Sequence, residues 1–473
     1  MSDTKQKKAA PNKASAKKQI PVTEPDSFAG RAARYIFYTL LAYVPVHIFL
    51  STWIGTTLDV LEPARVAKEF VLLFGFGLVV AASARKPWFK HIFKDKLFWA
   101  IGIFVLLHLL LMAIQPTNIE AELLALAYNT RYLVFFVYAV LLAHLHNRAH
   151  LVKRSLQVVL ASAAIVLVFG VLQHAVLPAN TLEKLGYSED AGVFPVVLVD
   201  NNPDFPRVFS TQRNPNAYGS YLIIIITIAM VYLRFARQHA SRYVLVGIIG
   251  LGFINLLYTY SRSAWLGFVF TVVALMALLI KQGIHRKMKR EVKLVALSVM
   301  VASTVIAGGM LYALSENMTL QNIVYHTTDQ STAQSSDEVR LAYWRSSLDA
   351  MREQPLGGGP GTAGPVSIHT DSPNINENYY LQIALEVGIA GLLAFLVIIV
   401  MVFSRLWRWS TKSPIAAALM ASLVGLAITN MFAHIWVYEA VAYTWWGLAG
   451  LFIVLGTSKQ KLGTRKKKVA RSK

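Results

Sequence analysis

The chain of 473 residues contains no cysteine. A disulfide framework and a thiolate metal site are therefore both excluded. Charge is also scarce: Asp, Glu, Lys and Arg make up 15% of the residues and hydrophobic types 55%, whereas soluble domains carry about 25% charged residues. The shortage falls on one sign, with 25 acids against 46 Lys and Arg and a formal net charge of +21. No clear internal repeat is present, and a repeat is the usual mark of a secondary carrier. No soluble binding domain is visible either, so the basic excess is not read as a nucleic-acid footprint.

What the chain does have is apolar runs of spanning length along most of its course. They fall near 34–54, 66–84, 97–114, 129–145, 155–177, 217–236, 243–260, 262–281, 293–314, 378–404, 414–434 and 439–456. By the apolar-length criterion this predicts an all-α polytopic membrane protein of about twelve transmembrane helices. The turn between the seventh and eighth runs is so short that the two read as one hairpin. Lys and Arg concentrate in every second loop, as in the segments holding Arg85, Lys86, Lys90, Lys94 and Lys96, or Arg148, Lys153 and Arg154. That bias predicts that both termini are cytoplasmic. Residues 1–32 read as a disordered basic tail rather than a cleaved signal peptide, 33–456 as the transmembrane domain, and 457–473 as a second basic tail. The tails are expected to meet anionic headgroups, making membrane lipids partners and nucleic acid not.

Two intervening segments, 178–216 and 315–377, are too long for simple connections and are predicted to lie outside the cytoplasm. The first contains Asp200, Asn201, Asn202, Pro203 and Asp204, then Arg207, then Arg213, Asn214, Pro215 and Asn216. The second, between spans nine and ten, is polar at 327–331 and then reads as an amphipathic helix over 339–352. Leu341, Trp344, Leu348 and Met351 fall at helical spacing on it. This helix is expected to lie on the membrane surface or to cap a cavity. It stops at the glycine-rich run 355–361. No strand precedes that run and no Lys-Ser/Thr pair follows it, so it is read as a close-packed turn or hinge and not as a nucleotide loop.

The candidate chemistry sits at these outer mouths. Arg262 lies between two strongly apolar helices, where an unpaired guanidinium is costly, so it is expected to face a protein cavity. Arg207 and Arg213 precede the helix that Pro215 opens, with Asn214 or Asn216 as its cap, and the helix amino end adds positive character. Together they suit an anion. Arg340 begins the amphipathic helix, and its planar fork suits phosphate oxygens. Glu377 and Asn378 open the tenth span. Glu377 is a first-turn acid favoured by the helix dipole or, in a second reading, the group that takes a proton from an attacking hydroxyl. His369 and Asp371 lie just upstream.

The order of these pieces resembles the O-antigen ligase superfamily, which also holds Wzy-type polysaccharide polymerases and some O-linked oligosaccharyltransferases. The pieces are Arg207 with Arg213, Asn214, Pro215 and Asn216; Ser261 with Arg262; the Arg340-led helix ending at Pro355, Leu356 and Gly357; and Asn378 with Gly388 and Gly391. The resemblance implies glycan transfer on the outer face of the cytoplasmic (inner) membrane, from undecaprenyl pyrophosphate to a lipid, glycan or protein acceptor, with no metal or other cofactor. By position, Arg207, Arg262 and Arg340 match the arginines that engage the pyrophosphate in that family. The reading of the residues themselves adds Glu377 to Arg207 and Arg262 as catalytic, and takes Arg213, Arg340, Asn378, His369 and Asn216 as substrate-binding. The ligases carry His before the Asn or Ser of the last motif, where this chain has Glu377. Two other functions are kept beside the ligase: a Wzy-like polymerase using the same donor, and a twelve-span transporter or flippase.

Overall fold

The computed structural model describes residues 27–199, 202–233, 236, 238–281 and 336–453. Residues 1–26 of the first basic tail, the second basic tail, the run 293–314 and the polar stretch 327–331 lie outside the described residues; residues 28–32, read as the end of the first tail, are instead the start of a helix, capped by Ser27. What is described is mostly helical. The helices are α1 (Phe28–Tyr43), α2 (His47–Thr57), α3 (Leu61–Ala84), α4 (Lys96–Ile114), α5 (Ile119–Leu145), α6 (Arg148–Ala175), α7 (Pro215–Leu233), α8 (His239–Tyr258) and α9 (Arg262–Lys281). They continue with α10 (Ser336–Glu353), α11 (Tyr379–Ser410), α12 (Pro414–Thr429) and α13 (Glu439–Gly450). Among the described residues eight helical segments are long and apolar enough to cross a membrane, with α1 and α2 counted as one; α9 and α12 are shorter apolar helices.

The departures from the sequence reading have local causes. The first run is broken at Val44–Val46, where Pro45 cannot donate to the helical ladder. The carbonyl of Pro45 instead accepts Thr211 Oγ1 (2.6 Å) and Gln212 Nε2 (2.7 Å). The last run yields a helix of 12 residues, about 18 Å long and shorter than a bilayer core. Its residues from Ala440 to Gly450 are all buried, so α13 packs inside the bundle, and the end of the run at 454–456 lies outside the described residues. The segment 178–216 is not all loop. It contains an antiparallel pair, β1 (Leu198–Val199) with β2 (Asn202–Pro206), in which Leu198 faces Pro206. α13 packs on α5, α7 between α8 and α12, α9 on α12, and α11 on α4. α7 is buried along nearly its whole length.

The hairpin between α8 and α9 is as tight as its sequence demands, with Tyr260 at φ 47° turning the chain. The glycine run 355–361 is a close-packed turn. Gly358 N donates to Leu385 O (2.7 Å), Gly359 N to Glu386 O (3.1 Å) and Ile389 N to Pro355 O (3.1 Å). It docks where α11 is interrupted at Gly388 (φ 71°). A Cβ on Gly357 would stand 2.5 Å from Gly388 N, and one on Gly388 2.5 Å from the Leu356 carbonyl, so neither site accepts a side chain.

Candidate active site

The candidate residues collect at the end of the bundle where α7, α9, α11 and α13 begin. The loop ahead of α7 is stapled down. Phe209 N and Ser210 N both donate to Gln173 Oε1 (3.2 and 2.7 Å), and Ser210 Oγ donates to the Val166 carbonyl (2.6 Å). Asn214 is the cap of α7, taking Ala217 N on Oδ1 (2.9 Å), while its amide donates to Tyr438 Oη (3.0 Å).

That anchoring frees Asn216 for another task. Its Oδ1 accepts Arg207 Nη2 (3.1 Å) and Ser261 Oγ (2.8 Å). Arg207 Nε donates to the Thr259 carbonyl (2.9 Å). Arg207, Asn216 and the Ser261-Arg262 corner thus form one hydrogen-bonded node, although they come from three segments. Arg262, half-buried, is the first residue of α9. Arg213 turns the other way, with Nη2 toward the Gly192 carbonyl (3.4 Å). It lies within electrostatic reach of Arg65 on α3, which also donates to the Ala191 carbonyl.

A second pair sits at the start of α11. Arg340 donates from Nη2 (2.7 Å) and Nε (3.1 Å) to Oε2 of Glu377. Glu377 is 48% exposed and holds a left-handed backbone (φ 45°), rare for a residue with a side chain and concentrated at functional sites. Asn378 caps α11, accepting Tyr380 N (3.0 Å) and Leu381 N (3.1 Å) on Oδ1. Beneath it Asn376 Oδ1 meets His434 Nε2 (3.1 Å), and Asn430 buries a side-chain amide that finds no hydrogen-bond partner. Tyr438 joins the two halves, being within electrostatic reach of both Arg213 and Glu377. Burial raises the pKa of its hydroxyl, against the lowering effect of Asn214 and Arg213. His369 ends a short 3-10 turn and lies 3.8 Å from Glu120 on α5.

On α10 the packed face is not quite the one its apolar spacing predicts. Trp344 stacks near Phe432 (5.8 Å between rings) and Ser347 is buried, while Leu341 and Leu348 remain exposed. The helix therefore presents one face to the bundle and an apolar edge outward.

Two buried polar groups escape a reading that follows outer mouths alone. Lys68 and Glu69 of α3, Arg131 of α5 and Glu439 of α13 form a closed network. Arg131 Nη1 lies 2.7 Å from Glu69 and 3.3 Å from Glu439, and Lys68 Nζ 3.3 Å from each acid. Tyr443 Oη also donates to Glu69 (2.6 Å). The second group centres on Glu386, fully buried, which accepts Asn129 Nδ2 (2.6 Å) and Gly361 N (3.2 Å). The signal that finds these is an ionisable residue within an apolar run. Lys68, Glu69, Arg131 and Glu386 all satisfy it.

Residues 247–396 match the family model Wzy_C, described as O-Antigen ligase, and this match supports an O-antigen ligase/Wzy-type family for the chain. No curated protein matches the chain. The matched stretch holds Arg262, Arg340, His369, Glu377, Asn378 and the glycine run, and leaves Arg207, Arg213 and Asn216 outside it. With the apolar helices it supports a multi-pass membrane protein of polysaccharide biosynthesis, a glycosyltransferase-like ligase or polymerase. At that level the family implies a lipid-linked glycan donor and an acceptor.

Proposed function

We propose that this protein transfers a glycan from undecaprenyl pyrophosphate to an acceptor hydroxyl on the outer face of the cytoplasmic membrane, with both termini inside. The observation that carries this reading is the node at Asn216, where the Arg207 segment and the Arg262 corner are fixed to one point. Preorganised donors of this kind stabilise charge that develops on a leaving group.

The acceptor oxygen attacks the anomeric carbon. The bond from that carbon to the pyrophosphate oxygen breaks, and its electron pair leaves with the pyrophosphate. Arg207 and Arg262 meet the departing charge, with Arg213 beside them. Arg340 is shared: while it holds Glu377, the carboxylate oxygen it binds is occupied. Donor pyrophosphate draws Arg340 to its own oxygens and releases Glu377 to take the acceptor proton. A carboxylate thus fills the place that His holds in the ligases the motif resembles. Asn378 and His369 belong to the substrate-binding surface, and no step uses a metal.

The test is transfer by the purified full-length protein in liposomes, given a synthetic glycan on undecaprenyl pyrophosphate. Free undecaprenyl pyrophosphate is expected in step with glycosylated acceptor, in the presence of a divalent-metal chelator. Movement of intact donor across the bilayer with none released would instead identify a flippase. Products growing by repeat units would identify the polymerase.

A further inference from the structure

Glu377 holds a left-handed backbone (φ 45°) although it carries a side chain. Such a conformation costs about 1–3 kcal/mol and persists only where its surroundings over-determine it. The start of α11 does not itself require it. Asn378 already caps that helix by accepting Tyr380 N and Leu381 N. Other groups fix the residue in front of the cap.

Those groups lie on either side of it. Asn376 reaches across Glu377, its Oδ1 accepting Asn378 N (3.3 Å) in an Asx turn. The same oxygen meets His434 Nε2 (3.1 Å). A carboxamide oxygen only accepts, so the imidazole donates from Nε2. Beyond the turn, Tyr379 N donates to the Asn430 carbonyl (3.0 Å). Asn376 and His434 are both buried, whereas the Glu377 side chain emerges half-exposed to meet Arg340. Asn430 and His434 belong to the segment between α12 and α13. Phe432 of that segment also packs against Trp344 of α10, one helical turn along from Arg340. One short segment thus sets both the backbone of the carboxylate and the helix that brings its guanidinium.

We propose that His434 is a positioning residue for Glu377, acting through Asn376, a role that rests on Glu377 being the acceptor's base. His434 holds the turn that aims the carboxylate outward. Its part is geometric and includes no proton transfer to or from substrate.

The experiment measures transfer by the full-length protein in liposomes, with the synthetic glycan on undecaprenyl pyrophosphate, resolved into kcat and KM. His434→Leu removes the donor to Asn376. Its kcat should fall about tenfold to a hundredfold with donor KM little changed, as when a catalytic group is misplaced by about an ångström. His434→Gln sets an amide nitrogen as many bonds from Cβ as Nε2 and should restore most of the rate. His434→Asn stays polar but stops one bond short, and should remain slow. This pair decides the matter even where the leucine variant fails to fold. Glu377→Gln combined with His434→Asn should be no slower than Glu377→Gln alone, because a residue acting only through the carboxylate has nothing further to lose. Equal rates in the His434→Gln and His434→Asn variants, or losses that multiply in the double variant, overturn the proposal. A slow Glu377→Gln beside a His434→Leu variant as fast as its parent overturns this inference alone. A full rate in Glu377→Gln overturns the base reading and this inference together.

Discussion

Two groups of charged residues in this protein obey opposite rules. The Lys68, Glu69, Arg131 and Glu439 network has two cations and two anions within contact distance. It is closed and locally neutral. The mouth of the bundle gathers Arg207, Arg213, Arg262 and Arg340 with Glu377, so the named set carries four positive groups and one negative. Among the bonds described there, Arg207 and Arg213 donate to carbonyl and amide oxygens, which position a guanidinium. The first arrangement pairs its charges within the fold; the second is where the proposed reaction would seat an anionic donor.

The contrast can be broken from either side. The largest effect belongs to Arg131→Met, which leaves Glu69 and Glu439 facing Lys68 alone. It should cost about 3–5 kcal/mol of stability, seen as a sharply lowered unfolding midpoint or loss of folded protein. A variant as stable as its parent would show that the network does not hold the bundle. Arg262→Ala should do the reverse, leaving the midpoint nearly unchanged while transfer falls about a hundredfold or more, ~3 kcal/mol. Normal transfer by that folded variant would remove Arg262 from the reaction. Glu377→Gln keeps an oxygen for Arg340 but loses the base, and transfer should fall about a hundredfold; an unaffected rate would leave Glu377 as a tether only. The smallest effect is expected for Asn378→Ala, about 1 kcal/mol of stability from the lost cap. A large rise in the acceptor or donor KM in that variant would show that Asn378 also touches substrate.

Much of the helical framework was legible because apolar runs of spanning length announce themselves. Eleven of the twelve runs coincide with described helices, the twelfth falling on residues not described. Length alone, however, does not say how deeply a helix is buried among its neighbours, as α7 and α13 show. The hairpin at β1 and β2 was hidden by Pro203 and Pro206, which read as turn residues. Arg207, Arg262 and Asn216 were legible as candidates from residue type, but their common node was not, because it is made by Ser261 and the Thr259 carbonyl in a distant turn. The Arg340-Glu377 pair joins positions 37 apart, and a one-dimensional pattern carries no information on such a meeting. The charge network was missed for a related reason: averaging hydropathy over a window dilutes Lys68, Glu69 and Arg131 among their apolar neighbours.

The interruption of α11 at Gly388 has a mechanical consequence for α10. The chain leaving α10 is clamped into that interruption by backbone bonds and by steric fit. Nearer its other end Arg340 of α10 forms a half-exposed ion pair with Glu377, just ahead of α11. If transfer runs as proposed, parting this carboxylate-guanidinium contact would loosen that end of α10 and uncover Glu377 in the same movement.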